Sequence, residues 1–88
     1  MAFFVAERYV PSSPPTDVGG VVRLDRRAAA GSATPIRHVR TWLLAADETC
    51  FSLFEAPSAE LVRVAGSAVG LRYSRITEAV EAGSDTDD

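Results

Sequence analysis

The sequence predicts an α+β fold in which strands and helices follow one another in the order β-α-β-β-α-β. Three observations indicate this order. A β-hairpin is predicted from Ile36 to Ala56, where two runs rich in β-branched and aromatic residues flank a short polar break at residues 46–48. Stretches with apolar residues at helical spacing precede and follow the hairpin. One further strand-like run precedes the first helical stretch, and another follows the second.

The first strand and the first helix occupy the N-terminal third of the chain. Aromatic and β-branched residues from Ala2 to Val10 favour a strand, and the proline-rich stretch that follows ends it. A helix is predicted from Asp17 to Ala30, with Thr16 as its N-cap. Its charged residues are expected mostly on the side away from the core. These are Arg23, Asp25, Arg26 and Arg27.

The C-terminal third contributes the second helix and the last strand. Ser58 is placed to cap a helix over 59–69, which Gly70 can end. A strand is predicted over 72–80, and the small, acidic residues 82–88 are expected to be a disordered tail outside a single domain of residues 1–81. The complete order is that of the ferredoxin-like split βαβ fold. Two helices then cover one face of a four-stranded antiparallel sheet, and the other face is bare.

The bulk properties of the chain exclude several classes of protein. Its 88 residues carry a net charge of −3, without the basic stripe of a nucleic-acid-binding protein. The single cysteine, Cys50, cannot form an intrachain disulfide, which favours a reducing compartment and a cytoplasmic location. No apolar stretch approaches the roughly 20 residues needed to span a bilayer.

The bare face of the sheet is the candidate functional surface. Side chains alternate along a strand, and the more uniformly apolar set, which includes Phe51 and Leu53, is expected to meet the helices. The remaining set mixes aromatic rings with charges and is predicted to form a ligand pocket, a dimer interface, or both. Its members are Glu7, Tyr9, His38, Arg40, Trp42, Ser52, Phe54, Tyr73 and Arg75.

Few single residues carry a chemical signal. His38, the only histidine, has the side chain of a general base or a metal ligand, although a lone histidine in a strand is more often structural. Cys50 has no second cysteine at CxxC spacing, and we interpret it as a small apolar residue. Glu7 is placed to pair with Arg40 or Arg75 across the sheet. No motif of a metalloprotease, hydrolase or phosphate-binding loop is present in the sequence.

Four segments of the chain form a recognisable set: residues 4–11, the Val39-Arg40-Thr41-Trp42-Leu43 run with the following Asp47-Glu48, residues 51–57 and residues 75–80. Together they resemble a family of small bacterial proteins of unassigned function that includes nickel-binding and nickel-responsive members, and the resemblance spans about residues 3–80. The resemblance implies a ferredoxin-like fold, dimerisation and nickel as a ligand. It also implies a histidine in the second helix, which this chain lacks, so that His38 is the one metal-ligand candidate and weak nickel binding at most is expected.

These observations predict a small homodimer that binds a small molecule or a metal such as nickel and is not an enzyme. Two alternatives remain open. One is a cofactor-free monooxygenase or isomerase of the dimeric α/β-barrel type, with His, Tyr, Trp and Arg lining its pocket, which rests on analogy between folds alone. The other is a protein-interaction module without a ligand. A closed cavity behind Trp42 and His38 would favour the enzyme, whereas a flat, filled face would favour the module.

Overall fold

The computed structural model describes residues 1–14 and 17–83 and confirms the predicted order of elements. Four strands and two helices follow in the order β1 (Ala2–Tyr9), α1 (Val18–Ala30), β2 (Arg37–Leu44), β3 (Thr49–Ala56), α2 (Ala59–Ala68) and β4 (Arg75–Ala79). All neighbouring strands are antiparallel, in the spatial order β2-β3-β1-β4. This is the ferredoxin-like arrangement. The predicted tail at 84–88 and the predicted cap Thr16 lie outside the described residues.

Local capping defines where both helices begin and end. The Asp17 carboxylate accepts a hydrogen bond from the backbone N–H of Gly19 at 3.1 Å, and Ser58 Oγ accepts one from Leu61 at 3.3 Å. At the end of α2, Gly70 has a φ of +84°. Its left-handed conformation lets the N–H of residue 71 reach the carbonyl of Gly66 at 2.9 Å, as in a Schellman motif.

The two strands of the hairpin meet at a short 3₁₀ turn, Ala45–Asp47, one residue earlier than the predicted break. Glu48 follows with a φ of +50°, in the left-handed region. Its carbonyl accepts the N–H of Val10 at 2.9 Å, and its carboxylate accepts the N–H of Ser12 at 2.8 Å and the hydroxyl of the same residue. The turn therefore holds the chain that leaves β1.

The core lies between the helices and one face of the sheet. Alternate residues of β1 and β3 are buried there, and Val62 of α2 is 1% exposed. The buried apolar side chains of the larger cluster are Phe4, Ala6, Ala28, Phe54, Ala56, Val62, Ala65, Leu71 and Tyr73. Neither helix covers the opposite surface, called the open face from here on. Strand register and burial assign to it Phe3, Val5, Glu7, Tyr9, Arg37, Arg40, Trp42, Leu44, Thr49, Phe51, Leu53, Glu55, Arg75, Thr77 and Ala79.

Candidate functional site

A buried carboxylate gathers polar side chains between α1 and the sheet. Asp25 is fully buried, and its Oδ2 accepts hydrogen bonds from the hydroxyls of Ser52 at 2.6 Å and Thr41 at 3.0 Å. Its Oδ1 accepts one from the Tyr73 hydroxyl at 2.9 Å. The guanidinium of Arg8 lies 3.5 Å from Oδ2 and completes what we call the Asp25 cluster. The cluster joins three strands, α1 and the segment that precedes β4.

His38 extends the cluster towards the protein surface. Its Nε2 lies 2.7 Å from Thr41 Oγ1. Because the Thr41 hydroxyl donates its hydrogen to Asp25, Thr41 Oγ1 must accept from His38, which places a ring hydrogen on Nε2. The imidazole also packs edge-on against Phe54, with 5.5 Å between ring centroids. Partial burial lowers the pKa of His38, so its neutral form is favoured.

Two neighbouring side chains, Tyr73 and Cys50, have raised pKa values that favour their protonated forms. Burial, followed by the neighbouring Asp25 carboxylate, raises the pKa of Tyr73. Burial likewise raises the pKa of Cys50, whose thiol lies 3.7 Å from Ser52 Oγ. The Tyr73 ring lies against Gly66 of α2 so closely that a Cβ at that position would collide with it. These contacts describe a filled, polar part of the core, and they identify the Asp25 cluster as a structural element.

The open face has a different character, because its charges are at least partly exposed and most of them are paired. Arg37 Nε lies 3.0 Å from Glu55 Oε1, and Arg75 Nε lies 3.8 Å from Glu7 Oε2. Of the two pairings expected for Glu7, the structure therefore contains the one with Arg75. Exposed ion pairs of this kind contribute about 1 kcal/mol or less, so their main effect is to neutralise the surface.

A concavity of about 750 Å³ occupies the half of the open face near the start of β2. Its floor is apolar and its rim is charged, the combination found in many ligand sites. The guanidinium carbon of Arg40 lies 5.9 Å from the centroid of the Trp42 ring, within range of a cation–π contact. The lining residues are Phe3, Val5, Arg37, Val39, Arg40, Trp42, Leu53, Ala79, Val80, Glu81 and Gly83.

The structure divides the nine predicted site residues between the two faces of the sheet. Five lie on the open face, where they were expected: Glu7, Tyr9, Arg40, Trp42 and Arg75. The other four lie among the buried contacts on the helix side, and their predicted placement is wrong: His38, Ser52, Phe54 and Tyr73. Of the residue types expected to line an enzyme pocket, His38 and Tyr73 are thus separated by the sheet from Trp42 and Arg40, whereas Tyr9 shares their face.

Each misplacement has a physical reason. The register of β2 shifts between His38 and Arg40, and this bulge turns His38 towards the helices while Arg40 and Trp42 still face outwards. In β3 the inward set contains Ser52 and Phe54, because Ser52 is needed by the buried carboxylate, whereas Phe51 and Leu53 face outwards. Tyr73 precedes β4 and follows no strand alternation.

Sequence reasoning missed the two charged members of the Asp25 cluster, although both carried a signal. Asp25 was expected on the outer side of α1, but it lies four residues after Val21 and three before Ala28, and both of these are buried. Arg8 follows Phe4 and Ala6 on the inward side of β1. A charge of each sign at inward positions indicates a buried ion pair.

The donor side chains of the described residues do not fit a nickel site within one chain. Within residues 1–14 and 17–83, no group of three or more His, Cys, Asp or Glu side chains is arranged to hold a metal ion. His38 uses Nε2 to donate to Thr41, and the Cys50 thiol is buried with a raised pKa, which disfavours the thiolate that a metal requires. In the same described part of the chain, no helix is long and apolar enough to cross a membrane.

Comparison with known proteins identifies a family and a structural relative. Residues 4–79 match the model of a family described as nickel responsive protein SCO4226-like. The fold is similar to the crystal structure of SCO4226 from Streptomyces coelicolor A3(2), with a TM-score of 0.77 and 19% sequence identity over 93% of this chain and 100% of that one. At this identity the likeness concerns the fold alone. No curated protein matches the sequence.

Proposed function

The chain belongs to the nickel responsive SCO4226-like family, as its sequence motifs indicated, and from this premise we propose that it is a small, non-catalytic homodimer that binds a ligand on its open face. The observation that carries the proposal is the division of that face into two parts. One part is an apolar patch without a cover, the other part is the concavity, and Trp42 belongs to both. The first part suits a second copy of the chain, and the second part suits a small molecule.

The apolar patch supports dimerisation. Tyr9, Trp42 and Leu44 are 67%, 45% and 42% exposed, and they lie on neighbouring rows of the same surface. Soluble monomers rarely leave large contiguous apolar patches in water. Glu7 and Arg75 are already paired there, so covering them isolates neither charge, and Arg40 beside Trp42 is the charge of this face that lacks a carboxylate partner within the described residues.

Two-fold symmetry would let this surface pair with itself. We take a row to be the residues that lie side by side across the four strands. When the two-fold axis is parallel to the strands, rotation brings β2 of one copy over β4 of the other and leaves the position of each row along the strand direction unchanged. The rows that hold Trp42 and Tyr9 then meet their own copies, as an isologous interface requires. The concavity would face the partner across the same interface, which would close its open side.

Nickel enters this proposal through the family description alone. The described side chains of one chain offer no built metal site, so the proposed function assigns no step to a resident metal. A metal bound by this protein would need ligands from more than one chain or from outside the described residues.

Sedimentation velocity of the full chain over a range of concentrations tests the dimer. We expect Trp42→Arg to shift the protein from dimer towards monomer, because a buried interface tryptophan is commonly worth about 2 kcal/mol or more of association. Val64→Arg is the matched control, since Val64 is also an exposed apolar residue (55%) but lies on α2, across the molecule. A wild-type chain that remains monomeric at high micromolar concentration would contradict the dimer.

A further inference from the structure

We infer that the concavity on the open face selects an amphipathic organic anion, with its acidic group at Arg40 and its apolar body on the sheet. The inference rests on the proposed function and adds to it the chemical class of the ligand. Three features of the site carry it: an unpaired cation, an apolar floor and a volume that suits a small organic molecule.

Arg40 is the cation that the surrounding protein leaves without an acidic partner. The other two arginines of the open face each have a carboxylate within 4.0 Å, as Arg37 with Glu55 and Arg75 with Glu7. Among the described residues Arg40 has no such partner, and its guanidinium lies against the Trp42 ring. An exposed guanidinium held beside an aromatic ring offers a planar set of donors to a carboxylate, sulfonate or phosphate.

The floor beside Arg40 is made of hydrocarbon. Phe3, Val5 and Leu53 lie on adjacent strands, and Trp42 forms a wall next to the guanidinium. The volume of about 750 Å³ falls in the range of small-molecule sites, about 300–1,000 Å³. An inorganic anion would leave this floor uncovered, whereas an anion with an apolar chain or ring system would contact both the floor and Arg40.

Glu81 is a carboxylate that would favour a cationic ligand, whereas Arg40 favours an anionic one. It also lines the concavity, yet it is exposed and forms no ion pair with Arg40 within the described residues. Its position beyond the end of β4 places it on the strand edge opposite β2, with β3 and β1 between them. Arg40 therefore predicts an anionic ligand and Glu81 a cationic one. Substituting each residue separately shows which of the two side chains determines the preferred ligand.

Binding is measured with decanoate as the probe, on the full chain near pH 7.5 and below the micelle concentration. Trp42 is the only tryptophan and lines the site, so its fluorescence reports occupancy. Decanol and decyltrimethylammonium serve as neutral and cationic analogues of equal chain length.

We expect decanoate to bind best. Arg40→Gln should weaken decanoate binding about tenfold and leave decanol binding unchanged. Arg75→Gln, on the same face but outside the concavity, should leave decanoate binding unchanged, and Glu81→Gln should leave it unchanged or tighten it.

Each other outcome overturns the inference in a distinct way. Equal binding of decanoate and decanol, or no effect of Arg40→Gln, would show an apolar site without charge selection and would leave the proposed function standing. Preference for the ammonium ligand would assign the selection to Glu81. Absence of binding by all three probes would reject the ligand class, and if the chain were also monomeric it would reject the proposed function.

Discussion

Replacing Asp25 by asparagine changes the centre of the buried cluster with little change in shape. The substitution exchanges one acceptor oxygen for an NH₂ group and removes the negative charge. If the NH₂ group takes the place of Oδ1, the Tyr73 hydroxyl loses its acceptor. If it takes the place of Oδ2, the hydroxyls of Ser52 and Thr41 both face a donor. Neither orientation of the amide satisfies the site, and Arg8 loses its counter-charge in both.

The expected cost follows from these contacts. A buried donor left without a partner costs about 1–3 kcal/mol, and removing one member of a buried ion pair costs about 3–5 kcal/mol. The Arg8–Asp25 distance of 3.5 Å is long for such a pair, so we expect a total of about 3–5 kcal/mol rather than the sum. At 0.05–0.15 kcal/mol per residue, 88 residues give a total stability of roughly 4–13 kcal/mol. The variant should therefore lose about a quarter or more of the stability of the chain.

Urea denaturation followed by circular dichroism measures this loss. Glu60→Gln is the matched control, because it makes the same chemical change at a side chain that is 75% exposed, and it should change the free energy of unfolding by less than about 0.5 kcal/mol. A double-mutant cycle with Tyr73→Phe should give a coupling energy of about 1 kcal/mol, since the hydroxyl donates to Asp25. If Asp25→Asn unfolds at the same urea concentration as the wild type, the Asp25 cluster does not stabilise the fold.

Three further predictions concern the strand faces, the histidine and nickel. Phe54→Ala should cost about 3–5 kcal/mol of unfolding free energy, because Phe54 is 1% exposed. Phe51→Ala, on the open face, should cost less than half as much in the same urea titration. The reverse order would mean that Phe51, and not Phe54, faces the helices. Because the folded-state pKa of His38 is lowered, the unfolded chain binds its proton more readily, so stability should fall as pH drops from about 7.5 through the unfolded value of 6.5. His38→Gln should flatten that part of a stability–pH profile, and an unchanged slope would exclude His38 as its cause. Calorimetric titration of nickel into the tag-free chain should give no submicromolar site, whereas tight binding that His38→Ala abolishes would make His38 a ligand.

The sequence predicted the fold well because its local signals agree with one another. Helical spacing, the Ser58 cap, the glycine after α2 and the hairpin runs all lead to the same order of elements. The match over residues 4–79 confirms the family resemblance, which depended on the same segments. A fold can be predicted from a single sequence when the conformational preference of each segment agrees with its place in the tertiary fold.

The faces of the strands were harder to predict, because a single inserted residue reverses the alternation. The bulge at Val39 sends His38 inwards, and nothing in the sequence around it marks the shift. In β3, hydrophobicity alone favours burial of Phe51 and Leu53, but the Asp25 carboxylate requires the hydroxyl of Ser52. Recognising Asp25 as a core residue from its spacing to Val21 and Ala28 would have corrected that strand. The concavity joins residues from four strands and the segment after β4, and their proximity depends on the sheet register.

Acrylamide quenching of Trp42 fluorescence, measured across protein concentrations, tests the central claim most directly. Sedimentation reports whether a dimer forms, but quenching of the only tryptophan reports which surface the dimer covers. Trp42 is 45% exposed in the single chain. We therefore predict that the quenching constant falls as concentration rises from the monomeric to the dimeric range, and that decanoate protects Trp42 further. A quenching constant that stays the same at every concentration, while sedimentation shows a dimer, would place the interface elsewhere and contradict the assignment of the open face.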